Sequence, residues 1–208
     1  MSKSYLTVAG ETEIRFEIKR SEFIATVAHV ENGDEAEELV RRVRKRYSDA
    51  THNCYAYIAD ERGNETRFSD DGEPGGTAGQ PMLEVLKKRG LMRTAAVVTR
   101  YFGGIKLGAG GLVSAYAESV SRAADASVKV RMTECAKISF TCAYPDHPVL
   151  EQALARYGAK KGETVYDENV TSHWWVERDK ADEAIALIGA QSSGRVRAEI
   201  AAIGYEAL

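Results

Sequence analysis

The sequence predicts an α+β protein of two domains, and three observations carry that prediction. Period-two polar and apolar alternation, the mark of half-buried strands, is interleaved with amphipathic runs at helical spacing. Residues 134–208 read as strand, helix, strand, strand, helix, strand, the order of a ferredoxin-like split unit. The 208 residues are 44% hydrophobic and 28% charged, enough for a core in each half and a charged surface. We expect helices and sheet in two layers, domains at residues 1–131 and 132–208, and a break near Lys129 to Thr133.

The elements follow in order. Glu11 to Lys19 alternates polar with apolar, and Phe23 to Ala28 follows after the turn Arg20-Ser21-Glu22, so both are strands. Residues 34–47 form a helix with Ala36, Val40, Val43 and Tyr47 on one face. Acids Asp34, Glu35, Glu37 and Glu38 start it and the basic run Arg41 to Arg46 ends it, which complements the helix dipole. Glu37 with Arg41 and Glu38 with Arg42 have the spacing of surface pairs. Asn53 to Ala59 and Thr94 to Tyr101 are strands. Ser69 to Gly79 is a loop by composition. It feeds a helix from Pro81 to Arg89, with Gly90 as the stop. A second glycine loop, residues 103–111, precedes a long helix from Leu112 to Ala126. Strand (134–143), helix (146–158), strands (162–168 and 171–177), helix (179–190) and strand (194–204) complete the chain.

Four stretches carry a resemblance. They are Lys19-Arg20-Ser21-Glu22-Phe23-Ile24-Ala25, Thr51-His52-Asn53-Cys54-Tyr55-Ala56-Tyr57, Ser69 to Pro81, and Val98 to Gly108. In this combination and order the sequence resembles the YigZ/IMPACT family, in its bacterial two-domain form. The resemblance covers residues from about 11 to 130, and the tail resembles the second domain of bacterial members. It implies an N-terminal domain with the left-handed βαβ fold shared by a small-subunit ribosomal protein, elongation factor G and a family of small-molecule kinases. It implies a C-terminal domain like the last domain of elongation factor G. Eukaryotic members restrain activation of a starvation-responsive translation-initiation kinase by binding its activator, and carry an extra N-terminal partner-binding domain. This chain starts at the shared domain, so that partner role is not expected to carry over.

Bulk charge narrows the function classes. The net charge is −3, which disfavours a nonspecific nucleic-acid binder. Residues 1–133 sum to +1 and residues 134–208 to −4. No apolar run has signal-peptide or membrane-span length, so a cytoplasmic protein is expected. Cys54, Cys135 and Cys142 lack metal or redox spacing and read as reduced core thiols. Trp174-Trp175 on a strand places one indole outward by alternation, at an interface or a contact between domains.

The candidate site residues lie on the two glycine loops and the strands beside them. Asp70, Asp71 and Glu73 concentrate carboxylates that suit a hard cation; equally, the two Asp residues form an Asx-type turn and Thr77 caps the next helix. Amides of Gly75, Gly76 and Gly79, with Gln80 beyond them, precede a helix start and suit an anion, or simply make a turn. Arg100 and Lys106, with Gly103 and Gly104, suit phosphate; close packing alone also explains the glycines. The kinases of this fold use a glycine- and serine-rich loop here, and those serines are missing. His52 precedes a strand and reads as an acid/base group or as structural. Zinc-enzyme and nucleophile-elbow motifs are missing, and no metal or cofactor is assigned.

The expected function is a noncatalytic regulator in translation or stress response. It binds a ribosome-associated, RNA or protein partner through the glycine-loop face of the first domain. The alternative is an enzyme, a hydrolase or transferase, acting on a phosphorylated small molecule. There Asp70, Asp71, Glu73 and His52 serve as metal or acid/base groups, and Arg100 and Lys106 hold the phosphate. An enclosed pocket joining both loops favours the enzyme, and a broad, open basic face favours the binder.

Overall fold

The computed structural model describes residues 3–208. The chain divides into two compact units, Tyr5–Val130 and Arg131–Leu208, with residues 3–4 grouped with the second.

The first unit is built on β2 (Glu11–Ile18), β3 (Ser21–His29), β4 (His52–Ile58), β5 (Thr66–Ser69) and β6 (Thr94–Tyr101), in the order β2-β3-β6-β4-β5. Every neighbouring pair is antiparallel. Thus β3 and β4 run parallel with β6 inserted between them. Alternation splits their side chains cleanly. Phe23, Ala25, Val27, Cys54, Ala56, Ile58, Ala96 and Val98 face α2 (Gly79–Lys88) and α3 (Ala109–Ala126). Ala28, Tyr57, Ala95 and Val97 face α1 (Gly33–Arg46), which buries Ala36, Leu39, Val40 and Val43. The two-layer expectation therefore describes the second unit, while in the first α1 adds a layer on the opposite face. Both faces of β3 and β6 are buried, which is why these strands are so densely apolar.

Two strands lie outside the expected set. β1 (Ser4–Val8) runs where Leu6 forms a parallel bridge to Leu91. β5 has four residues at the sheet edge, too few for a periodic signal. The helix ends also moved. Asn32 caps α1 by accepting the Glu35 N–H at 3.0 Å, and α3 starts three residues early within its glycines. The basic end of α1 is spent on other elements: Arg42 bonds Glu11, Arg46 bonds Glu13 and Arg44 bonds Asp71. Glu37 pairs with Arg67 across the sheet instead of along its own helix.

In the second unit β7 (Lys129–Cys142), α4 (His147–Tyr157), β8 (Lys160–Tyr166), β9 (Val170–Glu177), α5 (Ala181–Gln191) and β10 (Ala198–Glu206) form the expected βαββαβ order. The antiparallel strands lie β10-β7-β9-β8. One sheet face packs on Leu150 and Leu154 of α4 and Ile188 of α5. Trp174 points into that core at 2% exposure, so Trp175 takes the other face. All three cysteines are buried and free. Among the described residues no helix is long and apolar enough to cross a membrane.

Candidate functional site

Strand register sets the first line of the site. Arg100 on β6 lies opposite His52 on β4 and Phe23 on β3. All three share the sheet face that α2 and α3 cover. Arg100 is only 4% exposed, and its guanidinium sits 5.6 Å from the Phe23 ring centroid and 5.5 Å from that of Phe102. A buried charge needs a partner and full hydrogen bonding. Arg100 Nη1 donates to Glu73 Oε1 at 2.6 Å, and Nη2 donates to Ser21 Oγ at 3.2 Å. The Tyr116 hydroxyl on α3 donates to the same Glu73 oxygen at 2.7 Å. Glu73 itself is 8% exposed. His52 Nδ1 lies 2.9 Å from the Asp71 carbonyl, so that nitrogen carries the proton. Its Nε2 lies 3.8 Å from Glu73 Oε2.

The loop between β5 and α2 is folded by its own acids. The Asp70 carboxylate accepts N–H groups from Gly76 at 2.8 Å, Ala78 at 3.0 Å and Gly79 at 2.8 Å. Burial would raise this carboxyl, but the three N–H donors outweigh it and hold the group below its ordinary range. Asp71 accepts from Arg44 at 2.7 Å and from the Asn53 N–H at 2.6 Å. The Asp residues thus make the turn, and Asp70 takes the capping role foreseen for Thr77. The Thr77 hydroxyl instead donates to the Pro74 carbonyl at 2.7 Å. The three carboxylates point to separate partners. Among the described residues no three His, Cys, Asp or Glu side chains gather as a metal site. The Cys54 thiol, bonded to the Asp70 carbonyl, is pushed up to about 12 by burial. Burial also drives the Tyr116 hydroxyl far above its usual value. Both stay protonated at neutral pH.

The second glycine loop meets the first. Gly103 donates its N–H to Ser21 Oγ at 3.3 Å, and a Cβ there would stand 1.8 Å from the Arg20 carbonyl oxygen. Gly108 caps α3 at φ +75°, and among the described residues no side-chain cap bonds the first-turn N–H groups. A pocket of about 400 Å³ lies between the loops. Thr51, His52, Glu73 and Pro74 line it from one side, and Phe102, Lys106, Leu107 and Leu112 from the other.

Of the sequence candidates, His52, Glu73, Arg100 and Lys106 therefore come together. Asp70 and Asp71 brace the loop from behind. Gly75 and Gly76 are exposed on the loop without lining the pocket, and Thr77 is buried beneath it. Gln80 bonds Glu84 along α2 at 3.0 Å, Gly103 serves close packing and Gly104 turns the loop at φ +85°. Sequence reasoning missed Phe102, Tyr116 and Ser21. Tyr116 carried a usable signal, standing four residues after Leu112 on the buried stripe of α3.

Fold and site define a class: a two-unit α+β protein whose first unit holds a buried acid–arginine network beside a pocket between two glycine loops. Residues 19–124 match the Impact N-terminal domain, and residues 140–195 match a domain of unknown function, DUF1949. The chain is 45% identical over 185 residues to the IMPACT family member YvyE of Bacillus subtilis (strain 168), covering 88% of this chain and 84% of that protein. It is 39% identical over 160 residues to the IMPACT family member YigZ of Escherichia coli (strain K12), covering 76% and 78%. A crystal structure of a hypothetical protein superposes with a TM-score of 0.66 at 35% identity, over 95% of this chain and 97% of that one. The chain belongs to the IMPACT family. All four motif stretches read from the sequence fall inside residues 19–124.

Proposed function

We propose that this chain is a noncatalytic regulatory protein of translation or stress response. It would capture a ribosome-associated partner through the glycine-loop face of its first unit. One observation carries the reading. Asp70 and Asp71 are engaged by the fold and Glu73 is tied down through Oε1, while Lys106 lines the pocket as an exposed donor. Lys106 and the start of α3 at Gly108 and Ala109 face a concave space with apolar walls, which the His52 ring also lines. That chemistry suits the holding of an anionic group. The concave shape suits a compact group presented by the partner.

The test is affinity capture of ribosome-associated material from lysate, with and without nuclease, using the full chain and its Lys106→Ala and His52→Ala variants. The wild-type chain should retain a partner that both variants lose. Turnover of a phosphorylated small molecule that disappears with His52→Ala would overturn the reading in favour of a hydrolase or transferase.

A further inference from the structure

Resting on the reading of this pocket as an anion-holding site, we propose that its ligand is a single phosphorylated nucleotide unit. The base would lie against Phe102 and the phosphate at Lys106 and the first turn of α3. The source is either a free mononucleotide or the 5′-phosphorylated end of an RNA, which share this chemistry.

Three observations converge. At the phosphate end α3 opens on Gly108, Ala109 and Gly110 with no side-chain cap, and Gly108 and Ala109 line the same pocket as Lys106. Arg100 lines the same pocket at 4% exposure, its Nη1 and Nη2 held by Glu73 and Ser21.

The aromatic end is equally specific. Phe102 is 46% exposed and lines the pocket. It is held by the Arg100 guanidinium, itself stacked on Phe23, and by its own N–H, which donates to Thr51 Oγ1 at 3.1 Å. A rigid exposed ring is a stacking platform for a planar base. Finally, size and polarity exclude simpler ligands. About 400 Å³ is far more than phosphate fills, and Pro74, Leu107 and Leu112 give apolar wall that phosphate leaves unused. Thr51 and His52 bring polar groups that a phenyl ring leaves unmatched and a heterocycle with ring nitrogens and exocyclic groups satisfies.

Calorimetric titration of the full chain tests this with AMP, GMP, CMP, UMP, a 5′-phosphorylated and a 5′-hydroxyl oligoribonucleotide, inorganic phosphate and phenyl phosphate. At least one nucleotide or the 5′-phosphorylated oligomer should bind. Phe102→Ala should weaken that binding at least about fivefold, and Lys106→Ala about tenfold or more. Both side chains are exposed, so far-UV circular dichroism should stay unchanged. Tighter binding of the phosphorylated oligomer than of any mononucleotide assigns the source to RNA ends; the reverse assigns it to free nucleotide. Three results overturn the proposal: no binding of any nucleotide species, phosphate or phenyl phosphate binding as tightly as the best nucleotide, or affinity indifferent to both substitutions. Partner capture that is lost with Lys106→Ala while all nucleotides fail would sink this inference and leave the regulatory reading standing.

Discussion

The Arg100–Glu73 pair invites a direct energetic test. Glu73→Ala removes the carboxylate that accepts from Arg100 at 2.6 Å and from Tyr116 at 2.7 Å. It leaves a guanidinium in a site 4% exposed, with Ser21 as its remaining hydrogen-bond partner. Breaking one side of a buried pair costs about 3–5 kcal/mol, and the orphaned hydroxyl adds about 1 kcal/mol. Against a typical stability of about 5–15 kcal/mol, the first unit should be severely weakened. Replacing both residues with Met should restore much of the loss, because the desolvation cost vanishes with both charges. The cycle of Glu73→Met, Arg100→Met and the double variant should therefore show a coupling of about 2 kcal/mol or more. The probe matters. Trp174 and Trp175 both lie in the second unit, so tryptophan fluorescence is blind to this change. Urea unfolding followed by amide exchange on β3, β4 and β6 reports it. A Glu73→Ala cost below about 1 kcal/mol, or strictly additive Met variants, would refute the reasoning.

Three further outcomes follow from the same geometry. Because Asp70 sits below its ordinary value of 3.8, it stabilises fully above that pH and loses its contribution as pH falls through its lower folded value; acid titration of stability should show this component, and Asp70→Asn should remove it at a cost of about 1–3 kcal/mol at pH 7. Gly103→Ala should cost about 3 kcal/mol or more in urea unfolding, because its Cβ would meet the Arg20 backbone at 1.8 Å. Gly110→Ala meets nothing within 4 Å and has no positive φ, so it should raise the stability of the first unit by up to about 1 kcal/mol; a loss would show that this backbone is more constrained than its surroundings indicate.

Much of the fold was legible because burial writes a period into the sequence. β6 was read to the residue as Thr94–Tyr101, since a strand buried on both faces has an apolar run with sharp ends. The βαββαβ order was legible for the same reason, with Leu150, Leu154 and Ile188 at helical spacing and Val170, Ser172, Trp174 and Val176 alternating inward. What escaped lacks a period or depends on distant partners. β5 has four residues, and β1 depends on partners far along the chain, Leu91 among them. The pairs Glu37–Arg67 and Arg42–Glu11 override the i,i+4 spacing on α1 because the facing strands offer partners that local spacing cannot reveal.

The site was legible in outline, and of the two readings of its acids the fold takes the turn, for a reason the register makes plain. A loop with three acids among glycines has the composition of a ligand-binding loop, and composition says nothing of what faces it. In the fold, each acid faces something the chain itself supplies: Asp70 three N–H groups, Asp71 the Asn53 N–H and Arg44, Glu73 the Arg100 guanidinium and Tyr116. The four motif stretches are far apart in sequence, yet they meet in this one network through Ser21, His52, Asn53, Asp70 and Arg100. Their acids hold the first glycine loop, and Glu73 ties it through Arg100 and Ser21 to the start of the second. A pocket with one wall set by the buried Arg100–Glu73 pair is pre-organised there, so a ligand entering it loses less of its binding energy to ordering the protein. The functional information then lies in the residues the network leaves over, Phe102, Lys106 and the amides of α3. Those are also the positions at which substitution should change binding while leaving the fold intact.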